Sequence, residues 1–427
     1  MTCNVQSNLT PTIPGTLPTS ACQVVLTGIG CVSPFGVGKH TLVADIIRNN
    51  STAIRPIAGF PTDKLSRHLG AEIPSAYLPS TEETRRWSRI SLMATIACRE
   101  AIADANLTES EARARMGLVL GTEYGDLRST EAFDLGFLRR GPRGLSPLLF
   151  PNTVMNAMAG TASLALGIKG PMLTLNQPGV AGEVAVARAI NLIRAGRASA
   201  VVTCGVDELF PTLYEVLARF NVLSPHDGQE EICRPFDQRH NGPILGEGAT
   251  ALMIESTAHA QARNAPILAE IYSARWGGLA VRPSRYPSRH QMNQRIFKQV
   301  LQDAAVCSAD IGMAYLSGSG EPQHDTAELD CLATMFGNKS PIITSVTHLT
   351  GAYGGLGAFR VAAAAVTLTK GVLPSLDYLQ QPIRSDLRFA KTDEQQPAQR
   401  TIMVHGLARG GTQAVLLLGP PRQRAQS

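Results

Sequence analysis

The chain has 427 residues, 39 of them Gly, with 44% hydrophobic residues and a formal charge of +5. That length supports two domains or two fused halves with a large buried core. The charge is scattered and no basic tract is interleaved with aromatics, so nucleic acid is not an expected partner. No apolar run reaches the ~18 residues of a membrane span, so none is expected.

Residues 1–21 are rich in Ser, Thr and Pro and contain no Lys or Arg. They read as a flexible tail without the basic and apolar regions of a signal peptide, which gives a cytoplasmic expectation. The eight Cys include no C-x-x-C pair. Zinc and disulfide frameworks are therefore not expected, and no metal site is expected. Cys204 reads as a buried free thiol.

In chain order, Gln23 to Leu26 is a short strand followed by TGIGCVSPFGVG. Its glycines fit neither G-x-G-x-x-G nor G-x-x-x-x-G-K-[ST], so the segment reads as a turn. Trp87 to Leu107 has the apolar spacing of an amphipathic helix, and Met116 to Gly121 is a buried strand. Glu131 to Arg143 carries Phe133, Phe137 and Leu138 before Arg139, Arg140 and Arg143. Pro147 to Ala159, with Phe150, Met155 and Met158, is apolar but broken by Pro and Asn. It reads either as core or as an interface or tunnel lining.

The organising stretch is Lys169 to Ala187, KGPMLTLNQPGVAGEVAVA. A strand over Met172 to Leu175 ends at Pro178-Gly179, and a helix of small residues begins at once. Such a turn would lift a nucleophile to a helix N-terminus, but its apex is Gly179, without a side chain. The helix continues over Val184 to Arg197, and Ala198 to Cys204 is a strand. Cys233 to Glu247 is a loop before the strand Ala249 to Glu255. After a linker near His259 to Pro266, a second series follows. It comprises strand Ile267 to Tyr272, helix Gln291 to Ala305, strand Gly312 to Leu316, helix Thr326 to Phe336, strand Ile342 to Val346 and helix Gly355 to Leu368. Thr401 to His405 and Ala414 to Leu418 are closing strands. The alternation predicts an α/β fold with a mainly parallel sheet, and the repeated order predicts an internal duplication.

From Gln23 to about Leu418 the chain resembles β-ketoacyl-acyl carrier protein synthases of the thiolase-like fold. The landmarks are VVLTGIGCVSPFG, GLVLGT, LRRGPRGLSPLLFPNTVMNAMAG, LGIKGP, GVDE, RPFD…GPILGEGA, HDTAE, SVTHLTGAYGGLGA and LARGGTQA, in that order. The resemblance implies two duplicated βαβαβαββ halves in a five-layered αβαβα arrangement, with boundaries at 22–258 and 259–420 and a C-terminal tail at 421–427. It also implies an obligate dimer joined at the strand before the organising turn. Active members use a Cys thiolate, two His for decarboxylation and oxyanion stabilisation, and a Lys. Those positions fall on Gly179, Ser317, Ala352 and Thr347 respectively. Leu407 and Arg409 stand near the family's Phe gate, and Pro243 replaces a second Phe.

The resemblance therefore implies a chain-length-factor type of subunit, the catalytically silent half of a ketosynthase heterodimer in type II polyketide systems. Its partners would be an active ketosynthase and an acyl carrier protein whose phosphopantetheine presents the acyl groups, with no cofactor of its own. Aromatic-type factors usually carry Gln at the Cys position, so Gly179 fits a polyene-making system, such as aryl polyene biosynthesis, at least as well. Phe133, Phe137, Leu138, Phe150, Met155 and Met158 are candidates for the tunnel wall, and Arg139, Arg140 and Arg143 for carrier-protein docking. The alternatives are a shape-neutral scaffold for the partner, or a divergent active homodimeric synthase or acyltransferase rewired around His324, His348, His405 or Gln177.

Overall fold

A computed structural model describes residues 22–42, 52–107, 110–288, 294–337, 339–392 and 401–422. The tail at 1–21, positions 423–427 of the tail at 421–427, and the first residues of the helix expected from Gln291 lie outside these.

The first strand, β1 (Val24–Ser33), is wholly buried. It runs straight through the TGIGCVS segment read as a turn, and the chain turns only at Pro34-Phe35. The glycines serve close packing rather than a turn. A Cβ at Gly28 would lie 2.2 Å from the Ala101 carbonyl oxygen, and one at Gly30 2.0 Å from that of Ala97. Both carbonyls belong to helix α1 (Arg89–Asp104), which lies directly on the strand. Ser88 caps α1 by accepting from the Ser91 N–H.

The first half continues with β2 (Gly117–Thr122), α2 (Leu127–Arg140), α3 (Ala157–Leu166), β3 (Met172–Asn176), α4 (Ala181–Arg194), β4 (Ala200–Asp207), α5 (Pro211–Arg219) and β5 (Gly248–Ser256). The second half comprises β6 (Ala269–Gly278), α6 (Arg295–Ala304), β7 (Ile311–Tyr315), α7 (Pro322–Phe336), β8 (Ile342–Thr344), α8 (Leu356–Lys370), β9 (Thr401–Leu407) and β10 (Thr412–Gly419).

The strand order is β8-β7-β9-β10-β6-β1-β5-β4-β2-β3, so the two halves repeat the same order outwards from the β6–β1 junction. In each half the three outer strands are parallel and the two inner ones antiparallel, so the sheet is mixed and not mainly parallel as the alternation of strands and helices predicts. Val24, Val25 and Leu26 pair with Ile271, Glu270 and Ala269 to join the halves. The apolar helices α4 and α8 pack on each other, and each touches strands of both halves, which makes a central helical layer. Helices α1 and α3 cover one outer face, and α6 and α7 the other. This is the thiolase-like α/β arrangement in five layers.

Candidate functional site

The turn from β3 into α4 is tight. Val180 N–H donates to the Pro178 carbonyl at 2.7 Å, and Gly179 sits at φ +64, where glycine is favoured. The Gly179 N–H is already occupied: it donates to Glu123 Oε2 at 2.9 Å. Glu123 follows β2, and Asp207 at the end of β4 fixes its loop. Asp207 Oδ1 accepts from Thr122 Oγ1 (2.7 Å), Glu123 N (3.0 Å) and Tyr124 N (3.1 Å), while Oδ2 accepts from Gly355 N at 2.8 Å. Burial pushes the Asp207 carboxyl up to about 7, against the Thr122 hydrogen bond and with help from the Glu123 charge. Burial also raises Glu123, opposed by the Gly179 N–H, the Tyr124 hydroxyl and the Arg409 charge.

Above this turn lies a cavity of about 490 Å³. Gly179, Ser317, Thr347 and Ala352 all line it, although they come from three separate stretches of sequence. Pro243, Leu407 and Arg409 line it as well. Arg360 reaches it from α8, held by a buried pair with Glu183 in the first turn of α4 (Arg360 Nε to Glu183 Oε1, 3.1 Å).

The second wall is a chain of hydrogen bonds. Ser317 N–H and Oγ–H both donate to Glu328 Oε1, at 2.9 and 2.7 Å, and Leu407 N–H donates to Ser317 Oγ at 3.0 Å. His324, in the first turn of α7, has Nε2 3.2 Å from Ser317 Oγ and Nδ1 3.0 Å from Ser319 Oγ. Its ring stacks on Tyr286 at 4.7 Å. His405 Nδ1 lies 2.7 Å from Glu328 Oε1, with both residues buried. Burial alone would lower His405. The Cys331 sulphur and the Glu328 carboxylate outweigh it and raise the imidazole to about 10. Burial likewise works against the Glu328 charge, but His405 holds the carboxyl below its ordinary range.

Of the polar residues singled out in the sequence, His324 lines the cavity, whereas Gln177, His348 and His405 do not. Gln177 donates to Thr412 Oγ1 at 3.2 Å. His348 packs on Tyr378 and is pushed down to about 3 by burial, so it stays neutral. Glu123 and Tyr286 went unnoticed in the sequence. The available signal for Glu123 was an acid placed directly after the buried strand GLVLGT.

None of the six tunnel-wall candidates lines the cavity. Phe137, Leu138, Phe150 and Met155 are exposed, and half-buried Phe133 stacks on Phe150 at 5.8 Å. Met158 is a correction: at 1% exposure it belongs to the core beneath α1, because α3 turns it inward. Arg139, Arg140 and Arg143 are exposed at and just beyond the C-terminus of α2. Beside this surface lies β3, the last strand of the sheet, with Met172 and Leu173 exposed. Leu148 (84% exposed) and Leu164 (86% exposed) are further apolar residues standing out in solvent. A bare strand edge with exposed apolar residues is the physical signature of an association surface.

Among the described residues no group of three or more His, Cys, Asp or Glu is placed to hold a metal ion. No helix among them is long and apolar enough to cross a membrane.

Residues 21–260 match the family described as beta-ketoacyl synthase, N-terminal domain, and residues 269–378 match its C-terminal domain. The chain is similar to the 3-oxoacyl-[acyl-carrier-protein] synthase 2 of Staphylococcus aureus (strain COL), with 29% identity over 92% of this chain and 97% of that one. Among solved structures it is similar to the ishigamide ketosynthase/chain length factor, at 25% identity and a TM-score of 0.84 over 94% of this chain and 100% of that one. A beta-ketoacyl synthase from Burkholderia phymatum STM815 shares the fold, at 24% identity and a TM-score of 0.85, again over 94% and 100%. The two domain matches in sequence order and the duplicated five-layered fold give one conclusion: the chain belongs to the β-ketoacyl synthase family.

Proposed function

We propose that this chain is the catalytically silent, chain-length-factor subunit of a ketosynthase heterodimer in type II polyketide biosynthesis. The observation that carries the reading is the cavity itself. The four positions where family members hold Cys, two His and Lys converge on it as Gly179, Ser317, Ala352 and Thr347. A glycine cannot carry a thioester, and no imidazole stands at either His position. The exposed apolar surface around β3 is the face offered to an active ketosynthase.

In this reading the partner supplies the nucleophile and the decarboxylation chemistry. This chain closes the far end of the acyl tunnel, with Phe133, Phe137, Leu138, Phe150 and Met155 as wall candidates. Each further two-carbon unit then meets a packed wall, and forcing extra carbons into a filled space costs ~1–3 kcal/mol. Arg139, Arg140 and Arg143 would steer an acidic carrier protein whose phosphopantetheine presents the acyl chain. The working location is the cytoplasm.

The test is co-expression with a ketosynthase, followed by mass analysis after incubation with malonyl-loaded carrier protein. One-to-one co-purification, an unacylated chain and partner-dependent elongation support the proposal. Malonyl turnover by this chain alone overturns it.

A second reading has one observation in its favour. The Ser319 Oγ and His324 Nδ1, 3.0 Å apart, both face the cavity and form a hydroxyl–imidazole pair of the kind that performs acyl transfer. The similar Staphylococcus protein bears the name of a synthase. Thioester turnover abolished by His324→Gln would favour this reading.

A further inference from the structure

We propose that Glu123 is a built-in plug for the cavity, a carboxylate that occupies the Gly179 amide, just ahead of helix α4, where an acyl oxygen would otherwise be received. The inference rests on the silent-subunit reading and names the side chain that enforces it.

Losing a nucleophile does not by itself close a site. Helix α4, 14 residues long, begins two residues past Gly179, and its N-terminal partial charge favours an anion near that end. A backbone N–H at that point is the kind of donor that stabilises a developing oxyanion. Here the Gly179 N–H is spent on Glu123 Oε2 at 2.9 Å, so the donor is taken.

Glu123 is held in place from three sides, two of them through its backbone. Asp207 binds the backbone N–H groups of Glu123 and Tyr124. Asn176, at the end of β3, donates to the Glu123 carbonyl at 2.6 Å. Gly354 closes the third side: a Cβ there would lie 2.3 Å from the Glu123 Cβ and 2.8 Å from its Oε2. The position opposite the plug therefore has room only for glycine. The occupant also works against the helix field, with the Arg409 guanidinium as the opposing charge in the cavity. A helix N-terminus favours a thiolate, whereas a carboxylate against the same amide disfavours one.

The test restores a nucleophile and asks whether the plug restrains it. Gly179→Cys places a Cβ 3.1 Å from that of Ala408, a contact needing a shift of a few tenths of an ångström. The probe is hexanoyl-N-acetylcysteamine. The introduced thiol attacks the thioester carbonyl, the bond to cysteamine sulphur breaks, and the attacking thiol's proton leaves with N-acetylcysteamine. Intact-mass spectrometry reads the acylated fraction over time.

The expected result is slow acylation of Gly179→Cys and at least ten-fold faster acylation of Gly179→Cys with Glu123→Ala. Glu123→Gln should fall between them, because its amide oxygen still accepts the Gly179 N–H while the charge is gone. Equal rates for the single and the Ala double variant overturn the plug. A second readout needs only the single variant, through the pH profile of its alkylation by iodoacetamide. A thiol titrating above the ordinary ~8.5 supports the plug, and one titrating at or below it overturns the plug. The unsubstituted chain, run alongside, reports on the other reading. Acylation of a cavity residue there, located by peptide mapping, overturns the silent-subunit proposal, while the ratio of single to double variant still decides the plug.

Discussion

The cavity and the β3 surface are opposites. Inside the cavity the polar groups are turned on one another: Glu123 on Gly179, Ser317 on Glu328, Arg360 on Glu183. On the β3 surface the reverse holds, with a strand edge lacking a neighbour and apolar side chains standing in solvent. The difference teaches where this molecule does its work. Glu183 and Glu328 each keep a buried Oε2 without a hydrogen bond, but their Oε1 atoms are committed to Arg360 and to Ser317 and His405, which leaves little to offer a substrate. Among the described residues no strand pairs with the outer edge of β3, and its exposed Met172 and Leu173 favour being covered.

The largest way to break the contrast is to open the cavity floor. Arg360→Met leaves the Glu183 carboxylate buried without its cation, which should cost about 3–5 kcal/mol in urea unfolding. Adding Glu183→Gln should recover part of that loss. Next is a pair of substitutions that separates core from surface. Met158→Ala should cost about 2–5 kcal/mol, as expected for a buried methionine. Phe137→Ala should stay within about 0.5 kcal/mol in the isolated chain.

The third prediction is a pH effect. His405 is raised from 6.5 to about 10 in the fold, so its stabilising contribution is complete below 6.5 and is lost as pH rises through 10. Glu328 is lowered, so its contribution is present above 4.5 and lost as pH falls below that value. His405→Gln should therefore cost about 1.5–3 kcal/mol near pH 6, and the gap to the unsubstituted chain should narrow towards pH 10, as followed by thermal melts. The smallest effect on the isolated chain, but a decisive one for the contrast, is Leu173→Lys. It should leave the melt unchanged and weaken association with a ketosynthase at least ten-fold, measured by sedimentation.

Much of the architecture was legible in the sequence because buried parallel strands and small-residue helices leave continuous apolar runs. The turn assigned to TGIGCVS failed for a reason local pattern does not carry. Glycine marks a turn and a close helix contact equally well, and only the position of Ala97 and Ala101 against Gly28 and Gly30 distinguishes them. Gly179, Ser317, Thr347 and Ala352, singled out by register, line one cavity. The replacement wiring was not legible. Glu123 and Gly179 are joined across 56 positions, and His405 and Glu328 across 77, and no periodicity encodes such pairings. Met155 and Met158 could not be separated either, because the chain passes from irregular turn to helix between them.

Gly179 keeps the positive φ of a sharp strand-to-helix turn while carrying no side chain. For most other residues that backbone costs roughly 1–2 kcal/mol. A side chain gained here would bring that strain at once and would press on Ala408, whose Cβ would lie 3.1 Å from the new one. In evolutionary terms the position resists change: any residue gained there starts from a loss of stability until a second site has relieved it.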